Sequence, residues 1–336
     1  MPKETGCRLN DSNEQSESPI ADPQLARRLL RFSHKAMATN FELCVLNEEA
    51  MEARLAGNAA FEEIDRLEQE LSYFIPYSDV SRINALAAGQ SVRVSAETFE
   101  CLSIAKEIHE QTAGAFDPTV GAVLTGRRPW DEDEDIPIGG TPPPVSDQAV
   151  AVGMEQVSLN SDLLAVGLTA DGVEIDLGGI GKGYALDRAV RVLVDWGITT
   201  ALLHCGQSTM VPIGHAEPYG GWPMRFLNPV NEKEEMGHFC LRDAVVSCSV
   251  ADASGHILDP QSGEPVARWL GAWAIAPTAA VADALSTAFS VMGLEEVDQF
   301  CRDHPEISAM LVEPEEDRPV LRAFGDWDRF DFKAAH

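Results

Sequence analysis

The chain has 336 residues, 45% of them hydrophobic, which is ample material for one large core or two small ones. Its 54 acidic residues outweigh 25 basic ones for a net charge of −29, which argues against a nucleic-acid or anionic-membrane surface. Seven cysteines, an odd number without a C-x-x-C pair, signal neither a disulfide framework nor a zinc site; with no 18-residue apolar run, signal segment or lipobox visible, a cytoplasmic setting is expected.

Residues 1–30 read as a disordered tail, polar to residue 24 and followed by a short amphipathic piece at 25–32. Residues 31–330 read as one folded domain. A strand is expected over 36–46. A long helix is expected over 49–71, where Met51, Leu55, Phe61, Ile64, Leu67 and Leu71 recur at helical spacing. A second helix covers 96–111 with Ser95 as its cap. Residues 125–147, with five consecutive acids from Asp131 to Asp135 and several prolines, read as an exposed loop. A strand near 157–159 and a strand-like segment at 172–177 lead to a helix at 185–196 and a strand at 200–204. Further strand-like pieces follow at 211–227 and 239–247. Thr278 caps a helix running to about Met292 and stopped by Gly293, and a last helix covers 294–303. Strands occur both in hairpin-like groups and between helices. This pattern predicts an α+β fold, with a mixed, largely antiparallel sheet flanked by helices.

The densest signal is Ile175-Asp176-Leu177-Gly178-Gly179-Ile180-Gly181-Lys182-Gly183-Tyr184. Glycines at a turn that opens a helix let a ligand approach the backbone and leave N–H groups for an anion. A Walker loop fails, because Gly183 follows Lys182 where a hydroxyl is required. The order G-G-x-G-x-G is not the dinucleotide fingerprint either. A plain glycine-rich turn with two solvated charges remains a reading of the segment taken alone.

Asp283 and Thr287 stand four apart and share one helical face in an alanine-rich run. A carboxylate and a hydroxyl are hard ligands suited to Mg²⁺, although a surface aspartate near a helix N-terminus has the same pattern. Gly114-Ala115-Phe116-Asp117-Pro118-Thr119 marks a turn that carries either a stacking or a buried phenylalanine. His256, three residues before Asp259, is a candidate general base or a loop residue.

In order and spacing, these pieces resemble the ApbE-like FAD:protein FMN transferase family over roughly residues 33–325. The resemblance rests on several motifs. They are Met37-Ala38-Thr39, the segment from Leu71-Ser72-Tyr73-Phe74 to Asn84, the segment from Thr112 to Thr119, and the glycine turn. His256-Ile257-Leu258-Asp259-Pro260 with Ser262-Gly263, and the segment from Ala282 to Ala288, complete the set. The resemblance implies an FAD pocket lined by Met37, Tyr73, Ala115, Phe116, Asp117, Asp176, Lys182 and Ile257. It implies Mg²⁺ held by the Gly179 carbonyl, Asp283 and Thr287. The implied reaction moves FMN from FAD to a Thr or Ser hydroxyl of an acceptor protein and releases AMP. His256 is the candidate base for it. Two segments depart from the family pattern. His204-Cys205-Gly206-Gln207-Ser208 stands where a glycine pair is usual, and Ser247-Cys248-Ser249 where Ser-Gly is usual. An FAD pyrophosphatase yielding FMN and AMP, or a non-catalytic FAD binder, are the alternatives.

Overall fold

The structure, a computed structural model, describes residues 8–9, 20–46, 48–127, 150–206, 208–250, 257–315 and 318–335. In chain order it contains β1 (Arg8–Leu9), α1 (Pro23–Arg28), β2 (Leu30–Ala36), β3 (Thr39–Val45), α2 (Ala50–Leu71), α3 (Asp79–Asn84), β4 (Ser91–Arg93), α4 (Ala96–Gln111) and α5 (Gly121–Arg127). There follow β5 (Val157–Asn160), β6 (Ala165–Leu168), α6 (Gly181–Asp195), β7 (Ala201–Cys205), β8 (Thr209–Ile213), β9 (Trp222–Asn228), β10 (Asn231–Leu241) and β11 (Val245–Val250). The remainder is β12 (Gly271–Ala276), α7 (Ala279–Val291), α8 (Leu294–Asp303), β13 (Ser308–Glu313), β14 (Val320–Phe324) and β15 (Lys333–Ala334).

A nine-stranded sheet runs in the order β1-β2-β3-β7-β8-β11-β12-β13-β14, and its strand pairs are antiparallel. Its central strands are buried on both faces, and alternate side chains serve different cores. Phe41, Leu43, Leu203, Ala274 and Leu311 join a core built with α2, α4, α6 and α7. Cys44, Leu202, Ile275 and Met310 join a second core with Trp222, Phe226, Trp327 and Phe330. That second core is roofed by the smaller sheet β15-β10-β9, while β4-β6-β5 forms a third sheet. The α+β architecture matches the expectation from sequence. No helix among the described residues is long and apolar enough to cross a membrane.

Four local expectations change. Part of the presumed tail is packed: Asp22 caps α1 by accepting from the Gln24 and Leu25 amides, Leu25 is buried, and Ile20 bridges to Met224. The apolar residues Ile20, Leu25 and Leu29 cover the second core; Leu25 and Leu29 belong to the amphipathic piece, and Ile20 is the one that the polar average over residues 1–24 conceals. The strand expected over 36–46 is present as β3 but starts at Thr39, because Met37 and Ala38, at φ 48° and 57°, form the turn of a hairpin with the preceding strand β2. The segment 172–177 belongs to none of the named strands; Gly172 turns at φ 79°, and Glu174 makes a single bridge to Val120. Asn84 brackets the Ile175 backbone with two amide hydrogen bonds of 2.8 and 2.9 Å, and the Asp176 amide donates to the Pro118 carbonyl. Finally, α6 starts at Gly181 rather than at residue 185. The expected Ser95 and Thr278 caps are present, accepting from the Thr98 and Val281 amides.

Candidate active site

The motifs scattered along the chain meet at one cavity of about 790 Å³. Met37, Ala115, Phe116, Asp117, Asp176, Gly179, Lys182, Ile257, Asp283 and Thr287 all line it. Tyr73 lies on an adjoining hollow of about 130 Å³ that shares Met37, Asp176 and Lys182 with the neighbourhood of the cavity. His256, with residues 251–255, lies outside the described residues.

Each side chain is placed by a local device. Met37 occupies a left-handed turn that costs a non-glycine residue about 1 kcal/mol. Its amide donates to Glu68 Oε1 at 2.5 Å, so α2 holds the turn in place. Asp176 Oδ1 accepts from the Gly178 amide at 2.7 Å and closes the glycine turn. Lys182 folds back to donate to the Gly178 carbonyl and stands 3.8 Å from Asp283 Oδ2. The Tyr73 hydroxyl donates to Glu174. Phe116 is almost fully buried, and its ring edge lies against Gly179, so it forms wall rather than an open platform.

The glycines divide their work. A Cβ on Gly183 would stand 2.2 Å from the Ala279 carbonyl oxygen and 2.8 Å from the Asp283 Cβ. Gly183 therefore permits α6 and α7 to touch, and its amide donates to Asp283 Oδ2 at 3.1 Å. Gly179 faces the cavity wall, and a Cβ there would lie 3.3 Å from Thr287 Oγ1. The sequence reading, in which the glycines of the turn let a ligand approach the backbone, is thus corrected at Gly183. That position serves helix packing.

Asp283 is 3% exposed, which rules out the surface-aspartate reading. Its Oδ1 lies 3.4 Å from Ser247 Oγ, which in turn is 2.8 Å from Thr209 Oγ1. Thr287 Oγ1 is 3.3 Å from Ser249 Oγ, and Ser249 also meets Ser286 at 2.9 Å. A buried carboxylate among hydroxyls, beside a glycine backbone, is a donor set that fits a hard divalent cation.

Asp117 faces inward. It accepts from the Thr119 amide and hydroxyl at 2.8 and 2.6 Å, and its other oxygen lies 3.3 Å from His109 Nδ1. Burial pushes its carboxyl up, but the hydrogen bonds from His109 and Thr119 outweigh that and hold it below the usual value. The same contact with Asp117, opposed by burial, raises His109. A raised histidine stabilises the fold below its unfolded value, about 6.5, and that contribution fades as pH climbs through the folded value. A lowered carboxyl contributes above about 4 and fades as pH falls. His109→Gln is therefore expected to destabilise the protein most between about pH 4 and 6.5, and least near pH 9. Thermal melts of both proteins across that range check it; a pH-independent difference would contradict the pairing.

Sequence reasoning missed Ser208, Arg225, Cys248, Ser249 and Trp273, which also line the cavity. Ser208 lies in the β7–β8 turn, and strand alternation could assign the other four to a face of their strands but not to this cavity. Three of them belong to the segments that depart from the family pattern, so those departures lie at the cavity wall. Lys182 and Arg225 are the basic side chains among the described lining residues, in a chain of net charge −29.

Comparison with known proteins agrees with this geometry. The model of the ApbE family matches residues 37–311. The chain is 26% identical over 303 residues to the FAD:protein FMN transferase of Treponema pallidum (strain Nichols), covering 83% of this chain and 82% of that one. It is 29% identical over 262 residues to the Rhodobacter capsulatus protein of the same name, covering 73% of this chain and 46% of that one. Among solved structures, the ApbE protein of Thermotoga maritima matches with a TM-score of 0.74 at 25% identity, over 90% of this chain and 99% of that one. The flavin transferase ApbE from Vibrio cholerae shares the fold, with a TM-score of 0.75 at 18% identity over the same shares. With its family motifs gathered on one cavity and most of its length matched by the family model, the chain belongs to the ApbE family.

Proposed function

We propose that this protein transfers the FMN portion of FAD to a threonine or serine hydroxyl of an acceptor protein, with AMP as the leaving group. The observation that carries the reading is the cluster of buried Asp283 with the half-buried Thr287 and Gly179 at one wall of the cavity, with Lys182 beside it. Mg²⁺ is the cation this cluster would hold, and it would supply charge neutralisation at the pyrophosphate. Asp283 and Thr287 are the side-chain ligands, and Gly179 offers a backbone carbonyl. Lys182 adds a cation on the same side. Met37, Phe116 and Ile257 give the cavity apolar surface suited to a planar ring system. In the reaction the acceptor oxygen bonds to the FMN-side phosphorus, the bond from that phosphorus to the AMP oxygen breaks, and the hydroxyl proton passes to a base. His256 is the proposed base, assigned from sequence alone.

The test is incubation with FAD, Mg²⁺ and a peptide carrying a Thr or Ser acceptor, followed by mass spectrometry. An FMN-sized mass gain on the peptide, with AMP released, supports transfer. Free FMN without modified peptide indicates a pyrophosphatase, and tight FAD without turnover indicates a binder. In a separate measurement, Lys182→Ala and Asp176→Ala are each expected to weaken FAD about tenfold or more, read by flavin-fluorescence titration. The first removes a cation from the cavity and the second opens the glycine turn. Parent affinity in both variants would remove this wall of the cavity from FAD recognition.

A further inference from the structure

On the sheet face turned away from the α2–α6–α7 layer, three side chains of different chemistry converge. Glu42 and Cys44 stand two apart on β3, so they share a face, and Cys44 belongs to the second core. His204 on β7 is the direct cross-strand partner of Glu42. Glu42 Oε1 lies 3.4 Å from Cys44 Sγ and 3.5 Å from His204 Nε2, and all three donor atoms lie within 4.8 Å of one another.

The imidazole is oriented for ligation. Its Nδ1 lies 2.9 Å from the Gly206 carbonyl, which can only accept, so Nδ1 carries the proton. In the neutral ring, Nε2 is then left with its lone pair directed at Glu42 and Cys44. The side chain is 9% exposed, and Nε2 is buried with no well-formed hydrogen bond among the described residues, its nearest carboxylate being Glu42 Oε1 at 3.5 Å. A backbone carbonyl holding the distal nitrogen is the usual support for a metal-binding histidine. Arg31 Nη1, at 2.6 Å from Glu42 Oε1, likewise fixes the carboxylate.

The spacing also suits a particular ion. Ligands at zinc distances of about 2.0–2.3 Å form a tetrahedron whose edges are about 3.3–3.8 Å. The two distances to Glu42 Oε1 fall within that range, and Cys44 Sγ and His204 Nε2 lie within 4.8 Å of each other, so a short approach of those two side chains would close the third edge. One thiolate, one imidazole and one carboxylate select a borderline-soft divalent ion over Mg²⁺ or Ca²⁺. We infer that Glu42, Cys44 and His204 form a zinc-class metal site, separate from the Asp283 cluster, with water completing the tetrahedron. Binding replaces the thiol proton of Cys44 with a metal–sulfur bond and releases that proton to solvent. The ion would tie β3 to β7 just before the chain reaches Ser208 at the cavity wall.

The test uses the full chain, stripped with chelator and titrated with Co²⁺ as a spectroscopic stand-in for Zn²⁺. One equivalent is expected to produce a thiolate-to-cobalt charge-transfer band that Zn²⁺ then displaces. The band should vanish in Cys44→Ser and weaken at least about tenfold in apparent affinity in His204→Gln. It should persist in Cys248→Ser, whose sulfur lies at the other site. No band in the parent protein, or a band that survives Cys44→Ser, overturns the assignment. X-ray absorption on the zinc-loaded parent protein gives a reading independent of variant folding. One sulfur and at least one imidazole in the shell are expected, and a shell without sulfur overturns the site.

Discussion

Asp283→Asn is expected to lower FMN transfer by roughly 1,000-fold while leaving the melting temperature close to that of the parent. Asp283 is the one charged member of the proposed cation cluster, and it is buried at the cavity wall. Asparagine preserves the shape and can still accept from the Gly183 amide, which the carboxylate does now at 3.1 Å. What it removes is the negative charge that would hold Mg²⁺ against the two phosphates. Asp283→Ala should be as inactive but less stable, because the Gly183 amide then loses its buried acceptor, at a cost of about 1–3 kcal/mol. Thr287→Val removes only a neutral ligand and should fall short of the Asp283 effect. Raising Mg²⁺ should partly rescue Thr287→Val and not Asp283→Asn. Parent-like turnover by Asp283→Asn at limiting Mg²⁺ would falsify the metal assignment.

The second large effect is structural. Gly183→Ala places a methyl 2.2 Å from a backbone carbonyl of α7, and backbone cannot swing aside as a flexible side chain can. The two helices must separate, and overpacking of this kind costs about 3 kcal/mol, with Asp283 displaced along with α7. A lower melting temperature together with weakened FAD binding is the expected pair of results. Gly181→Ala is the control. A Cβ there meets nothing nearer than the Leu177 Cβ at 3.6 Å, and the position is the first of α6. It should melt within about 0.5 kcal/mol of the parent, as alanine favours the helix. If Gly183→Ala melts like Gly181→Ala, the close helix contact is not a feature of the protein in solution.

These two glycines show where reading a sequence stops. Both belong to the same motif, both sit in the first turn of α6, and nothing local separates them. Only the position of α7, a hundred residues later, makes one replaceable and the other not. The β2–β3 hairpin makes a similar point. Its turn residues are Met37 and Ala38 rather than Asn-Gly, so the usual signal for a left-handed two-residue turn is missing. The turn is held instead by Glu68, which reaches it from the far end of α2.

By itself the sequence determined the α+β class, the long helices with their Ser95 and Thr278 caps, and the motifs that converge on the cavity. These are local properties: periodicity is set by the 3.6-residue turn or the two-residue pleat, and a cap is a bond between near neighbours. The tertiary structure decided which residues from different strands share a wall. It placed Arg225, Cys248 and Trp273 on the cavity, and it turned Asp117 inward toward His109. It also brought Cys44 and Glu42 to His204, although cysteine spacing along the chain signals no zinc site. The physical reason is strand register. Alternation tells which side chains share a face of one strand, but cross-strand neighbours follow from pairing across about 160 residues, which no local pattern specifies.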